Sequence, residues 1–484
     1  MRRLVESSLY TGLLKGLIVL GWLTLPFTHL RWLPNFGLTR PLTAILFTGV
    51  LGMLVLRGVV VHWAAIWKRT APRFLIDRLA ELPGGWRLLR WWLALLALGV
   101  ISAALTPLYG NFVQALNRLL GYTIILAYVT VALFSLKAYG MRSLARWIAA
   151  GYLPVLLYGV VEALAICGAP WAYAVVMWVR GNLLVSHPWV GRLALFTTEP
   201  SFASFHLVLL GAIFPYLPGR AEKKKVPHRS GGRSPIPHWN GEWVESLWVW
   251  VLRGVVLGVI LLTIVFSTSG TLFVMLVGWM GGWLLFSLPR RWLVRLAVAA
   301  VLLILAAGAA WMLVPGLSDQ AGDLWLTLWS TRRMSDMRLS ITIRGAYIAS
   351  VIWAIIETFG LGLGIGQYGH FWREIYLRHI DYQAFDVTGE VGRMLASSGY
   401  MRPWSVIFGL GADLGLVGMA LFGGFIANTW QACQGAGASA YGRALIIAGL
   451  LALVGTYPIV TPHVWLALAL LGGLGALGQG ELTD

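Results

Sequence analysis

The sequence predicts an all-α protein that crosses a membrane many times, and its composition and its apolar runs both support this. Of its 484 residues, 58% are apolar and only 12% are charged, with a mean hydropathy of +0.75. Soluble domains carry about a quarter charged residues, so the composition excludes a soluble globular enzyme and a disordered chain. Apolar runs of about 20 residues, enough to cross roughly 30 Å of hydrocarbon, recur along the chain.

Twelve such runs are the predicted transmembrane helices. They lie at 9–27, 42–66, 91–108, 119–136, 147–167, 202–218, 246–266, 270–288, 293–314, 403–426, 444–460 and 463–479. They divide the chain into a bundle of nine spans at 1–314, a long outer loop at 315–402, and three further spans at 403–484.

The positive charges predict the orientation of the spans. The net charge is +18, but the basic residues stand between apolar blocks, so we interpret them as topology signals rather than a nucleic-acid surface. With the N-terminus inside, cytoplasmic segments hold 21 Lys and Arg and outer segments hold 13, eight of them in the long loop. Both termini are therefore predicted to be cytoplasmic, as is a linker at about 219–245 that contains Lys223, Lys224 and Lys225.

The long loop contains two features of its own. The stretch 345–358 is apolar but has only 14 residues, which predicts a helix at the interface or packed on the bundle rather than a span. Glycines then alternate from Gly360 to Gly366, which lets the backbone approach a ligand or a neighbouring helix closely. The run lacks the Gly-Lys-Ser/Thr ending of a nucleotide-binding loop.

A first candidate site lies at the outer end of the sixth span, in the segment 191–206. Its residues that could carry chemistry are Arg192, Thr198, Glu199, Pro200, Ser201, Ser204 and His206. Pro200 suits the first position of a helix, with Thr198 or Glu199 as its cap. The free N–H groups at such an outward-facing helix end favour an anion, and Arg192 adds a positive charge. The alternative is an ordinary capped helix that enters the membrane.

A second candidate site is formed by loop arginines, which bind phosphate with two parallel hydrogen bonds and stay charged. They are Arg332, Arg333, Arg338 and Arg344. The alternative is that they pair with Asp319, Asp323 and Asp336 or with lipid headgroups. His370, His379 and Arg402 are weaker candidates in the same loop, and Ser267 and Ser269 mark the turn between the seventh and eighth spans. The sequence predicts no metal site, and two distant cysteines predict no disulfide framework.

These pieces resemble the O-antigen ligase and polymerase superfamily of bacterial inner-membrane proteins. The resemblance rests on Arg192 with Thr-Glu199-Pro-Ser201, Phe-Ser267-Thr-Ser-Gly, Arg344 before an apolar helix and the glycine run, and Gly411-Ala-Asp413-Leu-Gly. It implies a bundle of about twelve helices of the GT-C-like type and one large periplasmic loop. It also implies transfer of a glycan from undecaprenyl diphosphate to an acceptor hydroxyl, without nucleotide sugar, metal or other cofactor.

The resemblance is nearer to the polymerases than to the ligases. The Glu-Pro-Ser piece is typical of the polymerases, which join one lipid-linked repeat unit to another. Ligases usually carry a His or Asn motif before a late Glu-Leu-Gly helix, where this chain has Tyr400-Met-Arg402-Pro and Asp413. The implied partners are an undecaprenyl-diphosphate-linked oligosaccharide, membrane lipid and a chain-length regulator, without nucleic acid.

The residues predict the following roles. The catalytic residues are Glu199, Arg338 and Arg344, and the diphosphate- or substrate-binding residues are Arg192, Arg332, Arg333, Arg402, Ser201, Ser267 and His370. Arginines stabilise the leaving diphosphate, and Glu199 accepts the proton of the acceptor hydroxyl. A helix N-terminus and Arg192 lower the pKa of a carboxyl, which weakens it as a base. In the alternative, Glu199 orients Arg192 or binds acceptor hydroxyls, and His370 or His379 is the base.

Two other functions stay open at this point. A ligase would transfer the same glycan to lipid A core or to another acceptor. A transporter or flippase for a lipid-linked sugar would need charged or broken helices near the bilayer midplane, and often internal repeats. No repeat is found, and the ionisable residues in or near the spans are few: Lys15, Arg57, Glu162, Arg253 and Asp413. That pattern favours an enzyme that works at the membrane surface.

Overall fold

A computed structural model gives the structure of most of the chain. It describes residues 5, 7–33, 41–67, 81–108, 110–184, 193–195, 197, 200–217, 242–267, 269–289, 291–292, 295, 332–384, 392, 395–396, 403, 405–434, 439–455 and 461–480. Only the backbone is described at some helix positions, namely 62–67, 200–204, 242–247, 270, 332–343, 439 and 478–480.

The described chain is helical, and it contains no β-strand beyond one isolated bridge between Leu30 and Leu184. Its α-helices are α1 (Ser8–Leu23), α2 (Leu42–Trp67), α3 (Gly85–Leu105), α4 (Phe112–Gly151), α5 (Leu153–Ile166), α6 (Pro170–Asn182), α7 (Pro200–Ile213), α8 (Glu242–Phe266), α9 (Gly270–Ser287), α10 (Arg332–Glu357), α11 (Tyr368–His379), α12 (Val406–Gln434), α13 (Ser439–Val454) and α14 (Pro462–Gly480).

Five stretches of helix are long and apolar enough to cross a membrane. They are Leu42–Val61, Gly85–Leu108, Phe112–Ile166, Trp248–Phe266 and Val406–Gln434. Shorter apolar helices overlap the other predicted spans, except the run at 293–314, which lies outside the described residues apart from position 295. The described residues are therefore helical and include five helices that are long and apolar enough to cross a membrane, and the number twelve stays a prediction.

Several elements differ from the sequence prediction, among them α11, which lies in the predicted outer loop. Helix α4 continues through both the fourth predicted span and the start of the fifth, with a break at Gly140 (φ 72°, ψ 160°). Helix α6 was not predicted, because its run between Pro170 and Asn182 is too short for a span. Helix α10 begins at Arg332, thirteen residues before the apolar run at 345, so the arginine cluster lies on a helix rather than in a loop. Arginine, methionine and leucine all favour helix, so the helix can begin in this mixed segment, before the continuous apolar run starts.

The interior of the bundle is centred on aromatic residues from three helices. Trp92 of α3 contacts Phe425 of α12 and Trp465 of α14 edge to face, with ring centroids 5.6 and 5.2 Å apart. Phe422 of α12 adds a third edge-to-face contact to Trp465, at 6.0 Å. Such pairs contribute about 0.5–1.5 kcal/mol beyond their buried area, so they fix α3, α12 and α14 against one another.

Large apolar side chains also cover the outside of the bundle. Val55 on α2, Ile101 on α3, Leu261 on α8, Phe273 on α9 and Leu416 on α12 are all exposed. Contiguous exposed apolar surface is rare on soluble monomers, and it marks contact with lipid or with another protein. The distribution of apolar side chains therefore agrees with a helical bundle in a membrane.

Candidate functional site

Two of the predicted motif pieces meet at the turn between α8 and α9. Helix α8 ends at Phe266, and the buried residue Ser267 follows it. The backbone N–H of Leu193 donates a hydrogen bond to the carbonyl oxygen of Phe266 at 3.0 Å. The chain that immediately follows Arg192 is therefore held against the residue that precedes Ser267, although the two pieces are more than 70 positions apart in the sequence.

Arg344 brings the third motif piece to the same turn. Its Nη1 donates hydrogen bonds to the hydroxyl of Thr271 and to the carbonyl oxygen of Gly455, the latter at 3.4 Å. Thr271 is in the first turn of α9, and Gly455 follows the end of α13. A helix N-terminus carries partial positive charge, so the start of α9 and the half-buried guanidinium of Arg344 together form a place that favours an anion.

A buried ion pair fixes the segment that leads toward Glu199. Glu162 of α5 accepts a hydrogen bond from Arg180 of α6 through Oε1, and from the backbone N–H of Leu195 through Oε2 at 2.8 Å. Both charged side chains are almost completely buried. Leu195 has a left-handed backbone (φ 54°), which a leucine adopts only when its surroundings impose it. The ion pair therefore holds residues 193–195 beside the α8–α9 turn.

The other predicted site residues are described only in part. Glu199, Arg192 and Arg402 lie outside the described residues. Ser201 is placed by its backbone in the first turn of α7, which begins at Pro200 as predicted. His370 is exposed in the first turn of α11, where its ring contacts Phe371 edge to face at 5.0 Å between ring centroids.

The backbone of α10 also carries positions 332, 333 and 338. At 100° and 1.5 Å per residue, position 338 is about 9 Å along the helix axis from Arg344 and about 120° around it. Position 333 is about 16 Å away but only about 20° around the axis. By helical register, position 333 therefore shares a face with Arg344, whereas position 338 does not.

His379, the other histidine predicted as an alternative base, takes part in a contact between α10 and α11. Its Nε2 is 2.6 Å from Oε1 of Glu357, and its ring stacks on Trp353 with centroids 4.2 Å apart. Arg378 donates to the same Glu357 oxygen at 2.8 Å. The hydrogen bond with His379, assisted by Arg378, lowers the pKa of Glu357 below its ordinary value. This arrangement gives His379 a structural role at the helix contact.

A second buried ion pair was missed in the sequence analysis. Asp413 of α12 accepts hydrogen bonds at Oδ2 from Arg118 Nε at 2.5 Å and from the hydroxyl of Tyr122 at 2.9 Å. Its Oδ1 accepts from the backbone N–H of Gly366 at 3.0 Å. The sequence indicated Asp413 as an ionisable residue within a span, but Arg118 is 295 positions away and immediately precedes the predicted fourth span. Nothing in the sequence indicated this pairing.

Buried histidines form a further polar group, of which the sequence indicated only His206, at the end of the first candidate segment. His206 of α7 is hydrogen-bonded through Nδ1 to the hydroxyl of Tyr152 at 2.6 Å, and its ring lies 4.1 Å from that of His463 of α14. His29 is buried as well, with Nδ1 2.8 Å from the hydroxyl of Thr28. In the part of the chain that the structure describes, no three His, Cys, Asp or Glu side chains are arranged to hold a metal ion.

A cavity of about 540 Å³ lies away from the candidate site, near the C-terminal end of α12. Arg87, Asn428 and Gln431 are among its lining residues. Gln431 is eighteen residues beyond Asp413 on α12, or about 27 Å along a helix. The residues that line this cavity do not include those that meet at the α8–α9 turn. Neither protein-family models nor curated proteins give a match to the chain.

Proposed function

We propose that the protein is a polysaccharide polymerase of the bacterial inner membrane. It transfers a glycan from undecaprenyl diphosphate to a hydroxyl of another lipid-linked repeat unit, at the outer face of a bundle of about twelve spans. One observation carries the proposal: Arg344 is held at the start of α9, where the chain after Arg192 also meets the residue before Ser267. An anionic leaving group and a fixed guanidinium are the chemical partners that this arrangement suits.

In the proposed reaction, the acceptor hydroxyl oxygen attacks the anomeric carbon of the donor. The bond between that carbon and the diphosphate oxygen breaks, and its electron pair moves onto the diphosphate. Arg344 stabilises the charge that develops there, and Arg338, Arg192 and Arg402 are proposed to assist. The acceptor proton moves to a base, for which Glu199 is the first candidate. Serines 201 and 267, with Arg332, Arg333 and His370, are proposed to bind the remaining phosphate and sugar oxygens.

The supporting contacts explain why this end of the bundle suits phosphate chemistry. The Glu162–Arg180 pair fixes the backbone at Leu195, four residues before Glu199. Arg344 contacts a hydroxyl and a carbonyl oxygen, so its side chain is restrained before any substrate binds. A donor group that is held in place before the reaction loses little energy to reorganisation when charge develops on the leaving group.

The proposal is tested by incubating the purified protein with its lipid-linked repeat unit, without nucleotide sugar, and reading the products on a gel. Arg344→Ala is expected to slow formation of the ladder by about 10- to 150-fold, because a hydrogen bond to a charged group contributes about 1.5–3 kcal/mol. Arg344→Lys keeps the charge but loses the planar fork, so an intermediate rate is expected. Glu199→Gln in the same assay tests the assignment of the base.

Arg378→Ala is the matched control, since Arg378 is an exposed arginine of the same outer region and pairs with Glu374 and Glu357. Its ladder should match that of the unmodified protein. An undiminished ladder with Arg344→Ala would remove the arginine from the reaction. Transfer of the glycan to an acceptor other than a repeat unit, with no ladder, would instead identify a ligase.

A further inference from the structure

Helix α12 is interrupted at Gly415, and the glycine run fills the interruption. Gly415 has φ 68° and ψ −164°, which is outside the helical region. In a continuous helix, the N–H of Leu416 would donate to the carbonyl oxygen of Ala412. Here Leu416 donates to Gly360 at 2.8 Å, and the Ala412 oxygen accepts from the N–H of Leu363 at 2.7 Å. Two hydrogen bonds to residues 360–363 therefore replace one hydrogen bond of the helix.

The contact is backbone against backbone, which explains the glycines. A Cβ atom on Gly415 would lie 2.2 Å from the carbonyl oxygen of Gly360, and one on Gly362 would lie 2.5 Å from the nitrogen of Gly415. Neither position could hold a larger residue without separating the two segments. The bond from Gly366 to Asp413, which is itself paired with Arg118, fixes the other end of the run to α12.

The position of this contact along α12 gives its depth in a membrane. Helix α12 has 29 residues and is a candidate span. A crossing needs about 20 residues, and every stretch of 20 residues within α12 contains positions 415–425. Leu416 is among them, and it is hydrogen-bonded to Gly360. The loop around Gly360 therefore reaches the depth of the hydrocarbon, although it belongs to the segment that was predicted to lie outside the membrane.

The residues on either side of Gly360 suit that depth. Phe359 is 94% exposed and Leu361 is 80% exposed. They lie beside Leu416 and Val417 of α12, which are also exposed, and one turn beyond the exposed Ile356 of α10. In water, the exposure of several large apolar side chains so close together would be unfavourable.

The backbone of the loop is also suited to an environment without water. Irregular backbone at membrane depth is tolerated only where its polar groups are paired within the protein. Each N–H from position 359 to position 363 has such a partner: the carbonyl oxygens of Ile356, Ile355, Thr358 and Ala412, and the hydroxyl of Thr358. The side chains are exposed while these N–H groups are bonded, which meets the requirement of hydrocarbon for the backbone donors of the loop.

We propose that residues 358–366 form a re-entrant loop whose tip, Phe359 and Leu361, inserts between the acyl chains of the bilayer. The partner of this surface is lipid hydrocarbon. The inference rests on the position of α12 and on the exposed side chains, and it does not depend on the proposed transferase activity. It places the tip of the loop in the outer half of the membrane, just below the contact that Glu357 makes with His379 and Arg378 at the membrane surface.

The test measures the depth of spin labels in lipid nanodiscs. Phe359→Cys and Leu361→Cys are labelled with a nitroxide in a Cys167→Ser background, because Cys167 is exposed whereas Cys433 is buried. Collisions with oxygen, which concentrates in hydrocarbon, are compared with collisions with a water-soluble nickel chelate. Leu257→Cys, in the middle of Trp248–Phe266, is the hydrocarbon reference, and Leu377→Cys, beside Glu374 and Arg378 on α11, is the aqueous reference.

Labels at positions 359 and 361 are expected to favour oxygen over nickel far more than the label at position 377 does, and to approach the ratio of the label at position 257. Ratios that match the label at position 377 would overturn the proposal. Ile356→Cys, one turn earlier on α10, supplies a third position if either tip variant fails to elute as a folded protein. The background protein without an added cysteine reports any labelling of Cys433.

Discussion

The two buried ion pairs are built alike but serve different parts of the molecule. In each, a carboxylate accepts from an arginine with one oxygen and from the backbone of a non-helical segment with the other: Glu162 binds Arg180 and Leu195, and Asp413 binds Arg118 and Gly366. The first pair joins α5 and α6, which are neighbours in sequence. The second joins positions 295 residues apart and has Tyr122 as an additional donor.

The difference indicates which ion pair stabilises the fold and which one positions the candidate site. Loss of Asp413 would release the glycine run from a broken helix at the centre of the bundle. Loss of Glu162 would release the short segment that leads to Glu199, while α5 and α6 would stay connected by a short turn. We therefore expect Asp413 to matter more for stability and Glu162 to matter more for transfer.

The largest effect is expected from Asp413→Ala, which leaves Arg118 buried without its counter-charge. Breaking a buried ion pair from one side costs about 3–5 kcal/mol, and the two further hydrogen bonds to Asp413 favour the upper end of that range. The measurement is the unfolding temperature in detergent at a fixed scan rate. Glu374→Gln, in an exposed pair with Arg378, is the control and should shift that temperature little.

The double variant Arg118→Met with Asp413→Leu sharpens the same comparison. Replacing both partners by apolar side chains removes the uncompensated charge, so the double variant should be more stable than Asp413→Ala. If both variants unfolded at the same temperature, the cost would come from the lost bonds to Gly366 and Tyr122 rather than from the buried charge.

Glu162→Gln is expected to have a smaller effect on stability, close to the lower end of that range at about 3 kcal/mol. The glutamine keeps an acceptor for Leu195 but loses the charge that faces Arg180. At a temperature where the variant stays folded, glycan transfer is expected to fall by up to about 100-fold, because small displacements of positioned groups are costly in catalysis. Glu81→Gln, in an exposed pair with Lys137, controls for the loss of an acid. Full transfer activity in Glu162→Gln would show that the segment after Leu195 does not need this anchor.

Local features of the structure were predictable from sequence, whereas its long-range pairings were not. The start of α7 at Pro200 follows from proline's fixed φ, and the close approach of the glycine run to a neighbouring helix follows from the absence of Cβ atoms. That the neighbour is α12 at Gly415 depends on how helices pack around the aromatic centre, which no periodicity in the sequence specifies.

The same limit applies to the candidate site. The sequence indicated Arg344 and Ser267 separately, and their shared position depends on contacts between α9, α10 and α13. The sequence indicated His206 as the end of the segment that contains Glu199, but its contact with His463 could not be predicted, because His463 stands alone before an apolar run. A single polar residue in a span shows that some partner is needed, but the identity of that partner is a property of the packed bundle.

The smallest effect is expected where an ion pair is exposed. Glu357 has a lowered pKa because it is hydrogen-bonded to His379 and Arg378, so its contribution to stability is fully present above about pH 4.5 and is lost as the pH falls through its folded-state value. We expect less than about 1 kcal/mol, since solvent screens the pair. Amide hydrogen exchange in α11, corrected for the intrinsic pH dependence, should therefore rise modestly as the pH falls from 5 through the lowered pKa of Glu357 in the unmodified protein, and stay constant in Glu357→Gln. An equal rise of exchange in both proteins would assign the change to other titrating groups. Unfolding of the whole protein in that pH range would mean that the buried ion pairs are lost before the contact of Glu357.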